Sequence, residues 1–146
     1  MFESAAVGVI ASPVLGFAVP ASAESEVVRL TNDTRADHGC PAVREDSRLR
    51  TAARRHSADM AANDFFSHTG SDGSDFSTRA KRAGYDHAMS ENIAKGHPTA
   101  ADVVKGWLGS APRRSAILDC TAKAVGIGVA KAHDGALLWT QDFGRV

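Results

Sequence analysis

The side chains that could carry chemistry in this chain are its histidines, cysteines and carboxylates, and their spacing excludes the common local motifs. His68 lies in the run Asp64-Phe65-Phe66-Ser67-His68-Thr69-Gly70, between two hydroxyl residues. A base beside a hydroxyl is the minimum for nucleophilic catalysis, but sequence neighbours need not face one another. No Gly-x-Ser-x-Gly elbow and no His-Glu-x-x-His helix is present. His56 falls on the apolar stripe of a predicted helix, where a packed histidine is expected and a ligand is the alternative. His38, His87, His97 and His133 fall in predicted turns or helix ends, the ordinary place of solvated imidazole. Cys40 and Cys120 are too distant in sequence for a Cys-x-x-Cys redox pair and form no zinc knuckle. In an exported chain they predict one disulfide, with free structural thiols as the alternative. Trp107 and Trp139 are expected to be core anchors before ligand platforms.

Composition narrows the setting of that chemistry. The 17 Lys and Arg balance 17 Asp and Glu, so no basic surplus points to nucleic acid and no acidic surplus to a solvating tail. The length suits one domain. Residues 1–23 differ from the rest: they are small and apolar and end Ala21-Ser22-Ala23 after Pro20, an Ala-x-Ala cleavage pattern. Ser12 and Pro13 interrupt the apolar run, which is shorter than the roughly 20 residues of a membrane span. A signal peptide over residues 1–23 is predicted, although its start carries Glu3 and no basic residue, with the folded domain over residues 24–146. The chain is therefore expected to be extracellular and not membrane-spanning.

The spacing predicts a helix from Ser25 to His38 with Val27, Leu30, Thr31 and Thr34 inward and Gly39 as its stop. A second helix, capped by Asp46 or Ser47, places Leu49, Ala52, Ala53, His56, Met60 and Ala61 on one face. After the His68 segment, Ser71 to Asp75 reads as a loop and cap, followed by a short helix from Phe76 to Ala83. Ser90 to Gly96 reads as a strand or turn. Thr99 and Asp102 resemble a capping box for a helix ending at Leu108, and a short turn follows Pro112. Val125, Ile127 and Val129 alternate with small residues, Asp134-Gly135 offers a turn, and Leu137 to Phe143 returns as a second strand. Helices first and a terminal hairpin, without βαβ alternation, argue for α+β.

The ordered set Asn32, Arg35, Gly39-Cys40, His56 to Met60, Phe65 to Thr69, Ala83-Gly84-Tyr85, Glu91-Asn92-Ile93-Ala94, Trp107-Leu108, Ser110 to Leu118, Gly126-Ile127-Gly128 and Trp139 to Gly144 resembles the bacterial SCP-domain branch of the CAP superfamily (cysteine-rich secretory protein, antigen 5, pathogenesis-related 1). The resemblance covers nearly the whole chain after the leader. It implies an α-β-α sandwich, with a small antiparallel sheet between helices. It also implies a cavity that gathers two histidines and two acids. His68 matches the first histidine and Glu91 the first glutamate. Ser110 falls where many eukaryotic members carry the second glutamate, and Arg113 where bacterial relatives carry the second histidine.

The resulting set of His68, Glu91, Ser110 and Arg113 is a degenerate tetrad. Zinc needs three or four neutral or anionic ligands, and the permanent charge of an arginine opposes it. The expectation is no metal and no cofactor, with Arg113 paired to Glu91 as guanidinium to carboxylate. Two functions follow. One is a non-catalytic extracellular module, expected to be monomeric, that binds an envelope, lipid or protein ligand through this cleft. The other is a hydrolase of peptide or peptidoglycan bonds, with Glu91 as general base and His68 as ligand or acid.

Overall fold

The computed structural model describes residues 21–146. The predicted leader lies outside the described residues except for Ala21 to Ala23, which open the first helix, α1 (Ala21–Asp37). The predicted start at Ser25 is too late for a tertiary reason. Glu24 is buried and its carboxylate meets Arg54 of the next helix at 2.8 Å, holding the preceding turn in place.

A two-residue strand, β1 (Arg44–Glu45), precedes α2 (Ser47–Ala62) and is too short to carry a period-two signal. Asp46 caps α2, its carboxylate accepting from the backbone N–H groups of Arg48 and Leu49. Asp75 caps α3 (Phe76–Arg82), and β2 (Ala88–Lys95) follows. Thr99 caps α4 (Ala100–Leu108) by accepting from the Asp102 N–H, as the capping pattern predicts. The stretch expected as a turn is a helix, α5 (Ala111–Ile117). Pro112 lies in its first turn, where there is no helical N–H to lose, so it starts the helix. β3 (Ala124–Lys131) and β4 (Leu137–Gly144) form the predicted hairpin.

The four strands make one sheet in the order β1-β3-β4-β2, with β1 parallel to β3 and the other neighbours antiparallel. Alternation sends Val125, Ile127, Trp139 and Phe143 to one face. There they pack with Val27 and Val28 of α1, Val103, Val104 and Trp107 of α4, and Ile117 of α5. α2 covers the other face. Gly126 and Gly128 stand beneath it because a Cβ on either would overlap main-chain atoms of Leu49, Arg50, Ala53 or Arg54. The fold is α+β, an α-β-α sandwich. The core histidine expected on α2 is there too, since His56 is fully buried.

Cys40 and Cys120 form a disulfide between the loop after α1 and the loop before β3. Arg35 ties the same loops. Its fully buried guanidinium donates to the carbonyls of Pro41, Ile117, Asp119 and Ala122, which replace the water such a cation would otherwise hold. Asn32 adds a two-way bond to the Val43 backbone.

Candidate functional site

The loop that carries His68 leaves α2 and is fastened from below. His56 Nε2 lies 2.8 Å from the Ser67 carbonyl, which can only accept, so Nε2 carries the proton. Burial, and then the Arg79 charge, push the His56 pKa below its ordinary value, so the ring is neutral. Phe65 packs edge-on against the same ring. From α3, Arg79 Nη1 donates to the carbonyls of His68 (2.8 Å) and Ser74 (3.0 Å). The loop is thus held from two helices before any ligand is considered.

Arg79 also reaches the sheet. Its Nη2 donates to Glu91 Oε2 at 2.6 Å, and His68 Nδ1 donates to Glu91 Oε1 at 2.9 Å. The Glu91 side chain is 1% exposed, Arg79 8% and His68 60%, so a buried ion pair supports an imidazole that faces solvent. Because a carboxylate only accepts, Nδ1 of His68 carries a proton and Nε2 lies on the far side of the ring, away from Glu91. Burial pushes the Glu91 pKa up, but the hydrogen bond from His68 and the charge and hydrogen bond of Arg79 outweigh it and hold it at about 2.

Asp142 stands directly across from Glu91 in the β2–β4 register. It is fully buried and neither of its oxygens has a hydrogen-bond partner among the described residues. Burial, and then the Glu91 charge, push its carboxyl well above the ordinary range. One acid of this pair is therefore ionised under Arg79 and the other protonated, as expected for two carboxyls sharing a dry site. Above them a cleft of roughly 470 Å³ is bounded by His68, Thr69, Asp75, Phe76, Met89, Ser90 and Glu91.

Of the four residues singled out from the sequence, the structure brings together His68 and Glu91. Ser110 lines a separate, shallow groove with His97, Asp102 and Lys105. Arg113 does not pair with Glu91, contrary to expectation. It lies half-buried on α5, where its carbonyl accepts from Asn92 Nδ2, and Arg79 takes the carboxylate instead. The physical reason is placement, since α5 packs with the opposite face of the sheet and α3 lies beside the Glu91 face. Sequence reasoning misses both Arg79 and Asp142. The only available signal is that Leu138, Thr140 and Asp142 share one face of β4, so two polar residues point inward.

These residues do not fit a divalent cation. Both Glu91 oxygens are engaged, one of them by a permanent cation. Among the described residues no group of three or more His, Cys, Asp or Glu could hold a metal ion.

The sequence model of the cysteine-rich secretory protein family, CAP, matches residues 28–143. The chain belongs to this family. Two Bacillus subtilis proteins are similar to it: uncharacterized protein YkwD, 34% identical over 121 residues, and uncharacterized membrane protein YlbC, 29% identical over 126 residues. The matched region is 82% of this chain and 46% of YkwD, and 86% of this chain and 35% of YlbC, so the CAP chain spans less than half of either relative. A solved extracellular protein from Bacillus anthracis containing a SCP domain superposes with TM-score 0.77 and 28% identity, over 86% of this chain and 41% of that one. An outer surface protein from Borrelia burgdorferi gives TM-score 0.77 at 15% identity, over 89% and 97% of the two chains, and speaks for the fold alone. No helix of the CAP chain among the described residues is long and apolar enough to cross a membrane.

Proposed function

We propose that this CAP-family chain is an exported, monomeric, non-catalytic recognition module that receives an envelope, lipid or protein ligand in the cleft at His68. One observation carries the reading. The His68 imidazole is fixed by a carboxylate that Arg79 has already neutralised, so the cleft presents a directed Nε2 next to the apolar flank of Phe76 and Met89. A polar anchor beside an apolar wall suits an amphipathic ligand. Export is supported by the apolar leader, by the disulfide and by the extracellular setting of the Bacillus anthracis relative.

The test is a titration of the isotopically labelled chain from residue 24 with muropeptides and with anionic and neutral lipid vesicles, followed by NMR. Saturable shifts centred on Thr69, Phe76 and Met89, lost in His68→Ala, are expected, whereas shifts confined to other surfaces overturn the reading. Mass spectrometry of culture supernatant is expected to find a chain beginning near Glu24, and a cell-retained full-length product overturns export. The second reading, hydrolysis, draws on the same His68–Glu91 pair with the expected roles exchanged: Glu91, paired with Arg79, is no free base and instead orients the imidazole as a general base would be oriented. New fragments formed from muropeptides by the unsubstituted chain and not by Glu91→Gln would select it.

A further inference from the structure

Behind the loop that carries His68 lies a second cavity, roughly 280 Å³, between α2 and α3. Its charged wall consists of Arg55, Asp59, Asp72, Arg79 and Arg82, with His56 at the base. The acids in this wall are closed. Asp59 accepts from the Ser71 N–H (2.9 Å), the Ser71 hydroxyl (2.7 Å) and Asn63 Nδ2 (2.7 Å). Asp72 accepts from the Ser74 N–H (2.9 Å) and from Arg82 Nη1 (2.6 Å).

The cations are open. A guanidinium has five N–H donors. Arg82 spends one of them on Asp72, and Arg55 makes no hydrogen bond or ion pair among the described residues. Arg79 is 92% buried by side chain, yet its Nε finds no acceptor among the described residues. His56 is fully buried and its Nδ1 is also unpartnered among the described residues. Because Nε2 carries the His56 proton, Nδ1 is an acceptor. The cavity therefore lacks an anionic acceptor for its arginines and a single donor for its histidine.

We propose that this cavity binds a small oxyanion, a carboxylate or phosphate whose own molecule also carries a hydroxyl or amide N–H. The anion faces Arg55, Arg82 and Arg79 Nε, and the donor faces His56 Nδ1. Arginine forks match both oxyanions in two-point geometry. At roughly 30 Å³ per water the space holds about nine waters, so the ligand is monomer-sized, an N-acyl amino acid or a phosphate monoester and not a polymer segment. This site is distinct from the cleft proposed above.

The probes are N-acetylalanine, inorganic phosphate and the uncharged N-acetylalaninamide, titrated into the oxidised chain at low salt. Arginine Nε–Hε resonances and calorimetry are the readouts. One-to-one saturable binding of an anion is expected, with shifts at Arg55, Arg79 and Arg82. Binding of N-acetylalanine alone assigns a carboxylate ligand, phosphate alone a phosphate ligand, and both the shared chemistry. Arg55→Ala is expected to weaken binding at least tenfold and Arg55→Lys by less, while Lys95→Ala, an exposed cation outside the cavity, leaves it unchanged. Arg55 is exposed and unbonded, so its removal is not expected to disturb folding, and a thermal melt of each variant checks this. Saturation by neither anion, equal affinity for the amide, or an Arg55→Ala chain that folds and binds like the unsubstituted one overturns the site.

Discussion

Replacing Arg79 by methionine removes the cation from a carboxylate that is 1% exposed and leaves the hydrophobic stem in place. Removing one partner of a buried ion pair costs about 3–5 kcal/mol, because the surviving charge is stranded. A second route gives a similar figure. Glu91 is held at about 2 against an ordinary 4.5, and at about 1.4 kcal/mol per unit this is on the order of 3 kcal/mol of stability. Arg79 supplies part of that depression and also donates to the His68 and Ser74 carbonyls, so a loss of about 3 kcal/mol near neutral pH is expected. The sign with pH follows from the depressed acid. Its stabilisation is present above the unfolded value near 4.5 and is lost as pH falls towards 2. In Arg79→Met, Glu91 loses that protection, and protonation at mildly acid pH relieves the stranded charge. The deficit measured by urea unfolding should therefore be largest near neutral pH and smaller at about pH 4. Adding Glu91→Gln to Arg79→Met should recover part of the neutral-pH loss, as pair coupling requires. A loss below about 1 kcal/mol at neutral pH, or an equal loss at both pH values, would refute the assignment of this pair.

Asp142→Asn is expected to raise the melting temperature above about pH 6 and to have little effect near pH 4. A carboxyl whose folded pKa is raised stabilises at low pH and loses that contribution as pH rises, and the amide removes the titration; a larger loss at neutral than at acid pH would refute the protonated assignment. Gly128→Ala should cost about 3 kcal/mol or more in chemical denaturation, because the added Cβ meets the main chain of Ala53 and Arg54 and not a flexible side chain. Reducing Cys40–Cys120 should cost about 2–5 kcal/mol and lower the melting temperature by several degrees, and thiol counting on the oxidised chain should find none free. Calorimetric titration with zinc should show no tight stoichiometric site in the unsubstituted chain, since Arg79 already occupies Glu91.

What was legible in the sequence was local or periodic. Asp46 and Thr99 announce helix starts because a cap acts on backbone N–H groups only a few residues away. The Val-Gly-Ile-Gly run from Val125 announces a strand, although only the structure explains its glycines as the seat of α2. β1 and the first turn of α1 were not legible, because one is two residues long and the other is held by Arg54, far along the chain. At the site, His68 and Glu91 came from resemblance to a family, and their hydrogen bond could not be read from spacing. Arg79 was hidden for a different reason. Its seven-residue helix carries several basic residues, and which one turns inward depends on where α3 lands against β2. Asp142 was hidden because an inward acid reads as an error of alternation until its cross-strand partner is known.

The exchange of Arg113 for Arg79 at Glu91 changes what the site means. Were Arg113 the partner, the missing histidine and the ion pair would be one substitution, and restoring the histidine would free the carboxylate for a metal. With Arg79 as partner the two are separate. Glu91 remains neutralised from α3 whatever stands at position 113, and the same arginine holds the loop bearing His68 through two carbonyls. A side chain that both satisfies the acid and fixes the loop leaves the imidazole as the group free to act, which favours recognition by His68 over metal chemistry at Glu91. Arg79 also lines the cavity behind the loop, where its Nε has no acceptor among the described residues. It is a wall shared by the two proposed sites, so a change at Arg79 is expected to be felt in both, whereas changes at His68 and Arg55 separate them.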